Sequence, residues 1–224
     1  MFSFKRCSGI AETESFIVEK FTNKKILLFL AAFFLFPTAG CDGGNSDKSG
    51  GTVAAEKPSD VCNLGEAVET DGYRRLALVV GVGQYKNESV PDLEGPPNDA
   101  KRFYDLLTGE NGYGFPEENV CLLLNDQATT ANFRRAFDRA LVGRAQANDV
   151  AVVFYAGHGS QAPDKNGDEA DKTDETLMLH DARTGKVLDL LDDEFNRMLV
   201  RLHQKTDRVT VILDSCNSGT AIRG

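Results

Sequence analysis

The sequence predicts a three-layer α/β sandwich, in which a mainly parallel sheet is flanked by helices on both faces. Four apolar runs rich in β-branched residues alternate with segments in which apolar residues recur at helical spacing. Continuous apolar runs of this kind are typical of parallel strands that are buried on both faces. With 224 residues, 41% of them hydrophobic, the chain is long enough for one ordinary domain with a buried core.

The first two strands are predicted from "RRLALVVGV" (residues 74–82) and "ENVCLLLN" (residues 118–125). Between them, "PNDAKRFYDLLTGE" predicts a helix, because Asn98 or Asp99 can cap it and apolar residues follow at helical spacing. These apolar residues are Ala100, Phe103, Leu106 and Leu107. The turn residues of "NGYGFP" are expected to end the helix.

The second half of the chain continues the alternation. "TTANFRRAFDRALVGRA" predicts a helix that begins near Thr129 or Thr130, and "DVAVVFYA" (residues 149–156) predicts a third strand. After a long polar loop, "ETLMLHD" and "GKVLDL" predict a small hairpin, "DLLDDEFNRMLVRLHQ" a third helix and "RVTVILDS" (residues 208–215) a fourth strand. The side chains expected to face inward are Phe133, Phe137, Ala140 and Leu141 in the second helix and Leu191, Phe195, Met198, Leu199 and Leu202 in the third.

Residues 1–41 are predicted to form a secretory signal that does not belong to the fold. Lys24 and Lys25 precede a short apolar run, residues 26–36, and small residues then lead to Cys41. The run is shorter than the ~20 residues of a membrane span. "TAGC" resembles the lipobox of bacterial lipoproteins, in which the cysteine is lipidated, and an uncleaved membrane anchor is the alternative. In each case the rest of the chain is expected outside the cytoplasm, as a membrane-anchored lipoprotein or a secreted protein.

Residues 42–72 are predicted to form a flexible tether, because "DGGNSDKSGG" and the residues after it offer almost nothing to bury. Residues 73–224 form the predicted domain. The net charge of −9 argues against nucleic acid as a partner, since nucleic-acid-binding proteins usually carry a basic face. The same charge favours cationic substrates.

Three cysteines follow Cys7 and Cys41 in the chain, namely Cys62, Cys121 and Cys216. An odd number leaves at least one thiol free. Cys62 and Cys121 could form a disulfide in an oxidising compartment, or both could be small buried hydrophobic residues. The sequence leaves these two possibilities open.

The third and fourth strands are each followed by a glycine-containing turn with a reactive residue. "YAGHGSQ" places His158 between two glycines, and "DSCNSG" places Cys216 fifty-eight residues later. If the two strands are neighbours, both side chains lie at the same edge of the sheet. A cysteine attacks as its thiolate, which a nearby imidazole favours, and the N–H groups of Gly159 and Cys216 could form an oxyanion hole. The alternative is that both residues serve only turn formation and packing.

Together, "YAGHGSQ" and "DSCNSG" resemble the caspase-fold cysteine peptidases, and specifically the metacaspase branch. "LEGPPNDA" (residues 93–100) resembles the metacaspase segment after the first strand, and "NGDEADKTDETL" resembles the acidic stretch after the histidine. The resemblance covers about residues 74–224 and implies a caspase-like sandwich with a peptidase site, in which Cys216 is the nucleophile and His158 the acid/base. A non-catalytic caspase-like module that binds peptides or protein partners is the alternative from a different class.

The resemblance also implies protein or peptide substrates with Arg or Lys at P1. Metacaspases bind that side chain with carboxylates at the base of the S1 pocket, and the matching positions are Asp99 and Asp214. This is physically sound, because a partly buried cation needs an anion beside it. The alternatives are a helix cap for Asp99 and bonds to turn amides for Asp214. The chain departs from the usual pattern at Asn217, where His is common, and at Pro96, where Cys is common and a wall of the pocket is altered.

No cofactor is implied for the chemistry, but metacaspases often need calcium, and the resemblance places its ligands at Asp174, Asp192 and Asp193. In many members a further acid follows the catalytic cysteine, where this chain has Arg223. The acidic loop "DKNGDEADKTDE" is not an EF-hand, because Glu169 stands where that motif requires Gly and no helices flank the loop. A solvated acidic loop is therefore the alternative.

The caspase fold normally continues past the nucleophile with strands and loops that complete the pocket, whereas this chain ends at "GTAIRG". The resemblance therefore implies that a C-terminal small-subunit segment is missing and that the fold is incomplete there. A fragment, a truncated reading frame and the large subunit of a processed enzyme all fit this expectation.

Overall fold

The computed structural model describes residues 3–6, 15–19, 61–62, 64–164, 167 and 172–215. Its strands are β1 (Ser3–Arg6), β2 (Ser15–Glu19), β3 (Glu69–Thr70), β4 (Tyr73–Gly81), β5 (Val120–Leu124), β6 (Val150–Ala156), β7 (Gly159–Pro163), β8 (Thr173–Leu177), β9 (Leu190–Leu191) and β10 (Arg208–Asp214). Its α-helices are α1 (Gly95–Thr108), α2 (Thr130–Ala136) and α3 (Asp192–His203). The helix α2 continues as a π-helical segment (Phe137–Val142), and short 3₁₀ turns (Glu117–Asn119 and Asn125–Gln127) flank β5.

Four parallel strands form the centre of the main sheet, in the order β5–β4–β6–β10. The chain crosses from β4 to β5 through α1 and from β5 to β6 through α2, so the direction of winding reverses between β4 and β6. Such a reversal places helices on both faces of the sheet. The predicted fold, a mainly parallel sheet between two helical layers, is confirmed.

The side chains of β4 alternate between two apolar cores. Leu76, Leu78 and Val80 pack in the core that contains α2 and α3, whereas Ala77 and Val79 pack in the core that contains α1. Eight of the nine side chains predicted to face inward from the second and third helices are buried, namely Phe133, Phe137, Ala140, Leu141, Phe195, Met198, Leu199 and Leu202. The ninth, Leu191, is half-buried and belongs to β9 instead of α3. Because both faces of the strand are covered, its sequence is continuously apolar.

The predicted start of the first helix was wrong. The helix α1 begins at Gly95, so that Pro96 and Pro97 stand in its first turn, where their missing N–H groups leave no hydrogen bond unmade. Neither Asn98 nor Asp99 therefore caps it. By contrast, Thr129 caps α2 as predicted, since its side chain accepts a hydrogen bond (3.2 Å) from the N–H of the third residue after it.

The apolar face of α1 also differs from the prediction at one position. Leu106 is 48% exposed, while Tyr104 packs against the core instead. Ala100, Phe103 and Leu107 are buried or half-buried as predicted, and the ring of Phe103 stacks on that of Phe154 at 4.4 Å between centroids.

The predicted loop and hairpin after the third strand form a small three-stranded antiparallel sheet, β7–β8–β9. The strand β7 lies in the stretch predicted to be a polar loop. It has no apolar run because it lies at the surface, so only its pairing with β8 reveals it as a strand. The predicted hairpin is present in shorter form, with Leu177 opposite Leu190.

A disulfide joins Cys62 to Cys121, with 5.1 Å between their Cα atoms. The sulfur-bearing side chain of Cys121 is fully buried in the core beside β4. Of the two possibilities that the sequence leaves open for these cysteines, the structure has the disulfide. It attaches the last part of the predicted tether to β5.

The main sheet extends beyond β10 through residues from the start of the chain. The strand β2 pairs antiparallel with β10, with Ile17 opposite Ile212, and β1 pairs with β2. The sequence predicts instead that residues 1–41 are a signal separate from the fold. The apolar run 26–36, Cys41 and most of the predicted tether lie outside the described residues. In the part of the chain that the structure describes, no helix is both long and apolar enough to cross a membrane.

Candidate active site

The carboxyl ends of β6 and β10 lie side by side at one edge of the sheet. The last residue of β6, Ala156, is opposite the last residue of β10, Asp214, and the Gly157 N–H donates to the Asp214 carbonyl at 3.2 Å. The strands that precede the histidine turn and the cysteine turn are therefore direct neighbours, which is the arrangement that the predicted dyad requires. Cys216 itself lies two residues further on, outside the described residues.

The ring of His158 is oriented by a backbone carbonyl from the loop after β4. Its Nε2 lies 2.9 Å from the Pro91 carbonyl oxygen. A carbonyl oxygen can only accept, so this hydrogen bond requires a proton on Nε2. In the neutral ring the lone pair is then on Nδ1, which is the atom left to exchange a proton with a thiol or a substrate. The imidazole is half-buried and lies against the ring of Tyr85, with centroids 5.0 Å apart.

Two tyrosine hydroxyls hold the main chain at His158. The His158 N–H donates to Tyr85 Oη at 2.8 Å. The Tyr155 hydroxyl lies 2.9 Å from the His158 carbonyl and 2.7 Å from the Met178 carbonyl, and the Met178 N–H donates to the His158 carbonyl at 3.0 Å. Burial raises the pKa of Tyr85 to about 12 and that of Tyr155 well above its usual value. Both hydroxyls therefore stay neutral at physiological pH.

The two glycines beside His158, Gly157 and Gly159, have different structural roles. A Cβ atom at Gly157 would lie 2.7 Å from Tyr155 Oη and 3.2 Å from Tyr85 Oη, so the packed hydroxyls leave no space for a side chain. Gly159 begins β7 and pairs with Leu177. Its predicted role in an oxyanion hole also requires the Cys216 N–H, which lies outside the described residues.

The two carboxylates predicted for an S1 pocket are close enough to interact. Asp214 is half-buried at the end of β10, and Asp99 lies within α1 with a side chain that is 43% exposed. Burial raises the pKa of Asp214, and the negative charge of Asp99 raises it further. Asp99 also forms an ion pair with the exposed Arg102 at 3.7 Å. The structure thus brings together two acids that are distant in sequence, at the same edge as His158.

The acids predicted to bind calcium lie where β8, β9 and α3 meet. Asp174 and Asp192 are 4% and 3% exposed. Burial raises the pKa of Asp192 to about 6; the Asp193 N–H, which donates to Asp192 Oδ1 at 2.9 Å, opposes this shift, and the charges of Asp174, Asp193 and Glu175 add to it. Like charges buried together are costly unless a cation or protons neutralise them.

The same acidic group is not arranged around a metal position in the part of the chain described. Glu175 is 5% exposed, and its Oε2 has no hydrogen-bond partner among these residues. No set of three or more His, Cys, Asp or Glu side chains among the residues described could hold a metal ion as it stands. The chemistry of the group therefore fits a calcium ion, whereas its geometry is not preformed. The loop residues Asn166, Asp168 and Glu169 lie outside the described part of the chain.

Three residues at this edge were missed by the sequence analysis, namely Tyr85, Pro91 and Tyr155. Pro91 acts through its carbonyl, and no pattern of residue types can reveal such a contact. Tyr155 lies in a strand and is expected there as a core aromatic residue. Tyr85 could have been predicted as a site residue. It follows β4, and the direction of winding reverses between β4 and β6, where ligand sites form in such sheets.

A groove of about 480 Å³ lies at the opposite edge, where β4 and β6 begin. Arg74 and Arg144 line it. Arg74 donates a hydrogen bond to the Arg144 carbonyl, and Arg144 donates one to the Gly65 carbonyl. These arginines therefore hold the chain together at the amino ends of the strands. The groove is not part of the histidine site.

Comparisons with known proteins agree with the geometry. A family profile described as metacaspase, peptidase C14 domain, matches residues 75–223. The chain is 36% identical over 155 residues to metacaspase-1 of Saccharomyces cerevisiae, covering 66% of this chain and 34% of that protein. It is 39% identical over 156 residues to metacaspase-3 of Arabidopsis thaliana (66% and 41% covered). It is 35% identical over 193 residues to metacaspase-1A of Aspergillus oryzae (80% and 44% covered). The chain thus spans less than half the length of these three relatives.

The fold is also similar to that of a solved structure. A crystal structure of a Geobacter sulfurreducens protein superimposes with a TM-score of 0.52 at 28% sequence identity, covering 66% of this chain and 52% of that one. The likeness supports the sandwich architecture.

Proposed function

Because the chain belongs to the metacaspase family, peptidase C14, we propose that it is a cysteine endopeptidase that cleaves proteins or peptides after Arg or Lys. One observation carries the proposal. His158 follows β6 with its Nε2 bound by a carbonyl, and the neighbouring strand β10 leads within two residues to Cys216. Thiol peptidases need this pairing of an oriented imidazole with a cysteine.

In the proposed reaction, the Cys216 thiolate attacks the carbonyl carbon of the scissile peptide and forms a C–S bond. The N–H groups of Gly159 and Cys216 stabilise the resulting oxyanion. The His158 imidazolium gives its Nδ1 proton to the leaving amine as the C–N bond breaks, which leaves an acyl-enzyme. Water then attacks the acyl carbon while Nδ1 takes its proton, the C–S bond breaks and the thiolate is restored.

The Pro91 carbonyl supports this role for Nδ1. It accepts the Nε2 proton in both the neutral and the cationic ring, so the ring does not need to rotate between the two half-reactions. It also stabilises the imidazolium that favours the Cys216 thiolate.

We further propose that Asp99 and Asp214 bind the P1 side chain. Two carboxylates that repel each other are stabilised by a cation between them, and a guanidinium can hydrogen-bond both. The raised pKa of Asp214 supports this proposal, because it records a carboxylate that is partly removed from water beside another negative charge. The net charge of −9 favours the approach of basic substrates.

Calcium binding by Asp174, Asp192 and Asp193 is proposed as a structural requirement. Carboxylate oxygens are the ligands that Ca²⁺ prefers, and a cation would neutralise a group whose charges are mutually unfavourable. When bound, the ion would supply positive charge between β8 and α3. The chemistry at Cys216 and His158 does not use it.

We also propose that the protein is exported and anchored by a lipid on Cys41. Disulfides persist mainly in oxidising compartments, so the Cys62–Cys121 bond supports export. Cleavage before Cys41 and the pairing of β2 with β10 exclude each other in one molecule, because cleavage removes Ser15–Glu19. In a cleaved protein β2 is therefore absent from the edge of β10.

A peptide-based electrophile ending in Arg tests the peptidase function. We expect a covalent adduct on Cys216 in the wild-type protein, and neither adduct nor hydrolysis of Arg-ended peptides in Cys216→Ala. His158→Ala should slow hydrolysis by about 10²–10⁴-fold. A matched electrophile ending in Asp controls for the P1 side chain. Hydrolysis retained in Cys216→Ala would contradict the nucleophile assignment, and peptide binding without any labelling of the wild type would favour the non-catalytic module.

A further inference from the structure

The loop that follows β4 contacts His158 at three points. Tyr85 Oη accepts the His158 N–H at 2.8 Å, the Tyr85 ring lies 5.0 Å from the imidazole, and the Pro91 carbonyl lies 2.9 Å from Nε2. Because Tyr85 and His158 are 73 residues apart in sequence, the contact is tertiary. One loop therefore restrains the main chain, the face and the far nitrogen of the histidine.

Hydrogen bonds fix this loop before Tyr85 and after Pro91. The Tyr85 N–H donates to Asp92 Oδ1 at 3.0 Å, and the Lys86 N–H donates to the His180 carbonyl at 2.8 Å. The Leu93 N–H donates to the Gly83 carbonyl at 2.7 Å. Tyr85 and Pro91 are thus held relative to each other by the loop, so a restraint on one is transmitted to the other.

The Tyr85 hydroxyl is oriented to accept from His158. Its proton can be donated to the Val82 carbonyl at 3.2 Å, which leaves a lone pair for the His158 N–H at 2.8 Å. The side chain is 8% exposed, so water does not readily replace it as the acceptor. Burial raises the pKa of Tyr85 to about 12, so this restraint is present throughout the pH range in which a cysteine and a histidine titrate.

We propose that Tyr85 is a positioning residue that sets the orientation and the tautomer of His158 by holding the main chain of its turn. The inference rests on the proposed function, because it concerns the same catalytic pair. Tyr85 acts through His158 and does not itself touch the substrate or the reacting atoms. Without its hydroxyl, the His158 N–H loses its acceptor, the turn can shift, and the bond from Nε2 to the Pro91 carbonyl weakens.

The test compares Tyr85→Phe with Tyr104→Phe, which removes a tyrosine hydroxyl from α1 on the other side of the sheet. The ¹⁵N shifts of the His158 ring are measured, with His158→Ala for assignment. We expect the Nε2–H tautomer in the wild type and in Tyr104→Phe, and a mixture of tautomers in Tyr85→Phe. We also expect kcat on Arg-ended peptides to fall about ten- to a hundredfold with KM little changed, because a small misplacement of a catalytic group has effects of this size.

A second readout is the rate at which a small neutral reagent alkylates Cys216 as a function of pH. A displaced imidazolium stabilises the thiolate less, so Tyr85→Phe should react more slowly at acid pH while the rates converge at alkaline pH. A role confined to fold stability would lower Tm without changing the tautomer or the pH profile. If Tyr85→Phe keeps both as in the wild type, the proposal is wrong.

The two proposals fail in different ways. If the wild-type protein neither hydrolyses peptides nor labels at Cys216, the peptidase function is wrong, while the tautomer comparison still decides the role of Tyr85. If Tyr85→Phe does not fold, a fluorinated tyrosine at position 85 keeps the shape and makes the oxygen a weaker acceptor. The same shift in tautomer, in smaller measure, is then expected, and an unchanged tautomer overturns the proposal.

Discussion

Asp214 combines an electrostatic cost in the free protein with a role in the proposed recognition of substrate. Its carboxylate is half-buried, and the nearby charge of Asp99 opposes its ionisation further. Stability alone gives little reason to place a half-buried carboxylate at the end of β10 near a second acid on α1. A substrate cation would remove both unfavourable effects at once, because it supplies positive charge and its N–H groups donate hydrogen bonds to the carboxylate oxygens.

Asp214→Asn should therefore raise KM for Arg-ended peptides by about tenfold or more, since each 1.4 kcal/mol of lost binding is tenfold. Labelling of Cys216 by a small neutral thiol reagent should change little, because the carboxylate binds the cation and does not activate the sulfur. In the wild type, KM should rise as the pH falls through the raised pKa of Asp214, since the protonated acid no longer attracts the cation. This pH dependence should be smaller in the variant.

The exposed Asp105→Asn on α1 is the matched control for this experiment, and it should leave KM and labelling unchanged. An equal loss in the peptide assay and in the labelling assay would mean that Asp214 supports the cysteine turn instead of the substrate.

Gly157→Ala should lower the free energy of unfolding by about 1–3 kcal/mol, the usual effect of overpacking. Its Cβ would lie 2.7 Å from Tyr155 Oη, so the turn that carries His158 must shift. Gly65→Ala, where a Cβ meets nothing within 4 Å, is the matched control. Denaturant unfolding measures both.

A double-variant cycle with Tyr155→Phe identifies the cause. Removal of the Tyr155 hydroxyl creates room for the new methyl group, so the double variant should lose less stability than the sum of the two single variants. Strict additivity would show that the hydroxyl is not what excludes a side chain at Gly157.

At the scale of elements, the start of α3 meets two electrostatic demands that oppose each other. Asp192, Asp193 and Glu194 form the first turn of the helix, where the helix dipole favours negative charge. The pairing of β8 with β9 brings the same turn against Asp174 and Glu175. Burial outweighs the helix dipole for Asp192, and the charges of Asp174 and Glu175 add to its effect, so the pKa of Asp192 rises to about 6.

The sign of the resulting pH dependence follows from that shift. The folded protein binds the Asp192 proton more tightly than the unfolded chain does, with a pKa of about 6 in place of 3.8. The contribution of this group to stability is therefore fully present below about pH 4 and is lost as the pH rises to about 6. Asp192→Asn should remove this loss and raise the free energy of unfolding at pH 7 by on the order of 1–3 kcal/mol without calcium.

Calcium should have the opposite effect on the relative stability of the wild type and Asp192→Asn. Added Ca²⁺ should raise Tm of the wild type more than that of Asp192→Asn, because the variant lacks one carboxylate ligand. The exposed Asp207→Asn serves as the control in both conditions. A calcium effect of equal size in all three proteins would place the ion elsewhere.

At the scale of the whole molecule, the segment before the domain has two incompatible arrangements. The strand β2 completes the sheet beside β10 when residues 15–19 remain attached, whereas export with cleavage before Cys41 removes them. The Cys62–Cys121 disulfide is compatible with both, because it attaches the chain downstream of the cleavage point. Cleavage of the chain therefore decides whether β2 can pair with β10.

Cys41→Ser should block lipoprotein processing and leave a longer, uncleaved precursor, as should a globomycin-type inhibitor. Cys7→Ser is the matched control and should be processed normally, because this residue lies well before the lysines and the apolar run of the signal. Mass spectrometry of the membrane fraction measures the difference. A mature protein of unchanged size from Cys41→Ser would show that Cys41 is not the lipidation site.

The sequence by itself determined the central sheet, its three helices and the edge at which the site lies. Burial on both faces requires a continuous apolar strand such as residues 76–80, and a helix on a sheet requires a stripe such as Phe133, Phe137 and Leu141. Each leaves a recognisable pattern along the chain. His158 could be located for the same reason, since the end of an apolar strand is visible in the chain.

Only the tertiary structure decided what surrounds His158. Pro91 contributes a carbonyl, which every residue possesses, and Tyr85 contributes a hydroxyl from 73 residues away. It likewise decided that polar β7 is a strand and that Cys62 bonds to Cys121, because each depends on a partner brought near by folding. Asp99 and Asp214 lie between these cases. The family resemblance predicted a cation site at these positions, but only the fold brought the charge of Asp99 near enough to raise the pKa of Asp214. Local patterns record burial, whereas contacts between distant groups depend on positions in space that no short stretch of sequence contains.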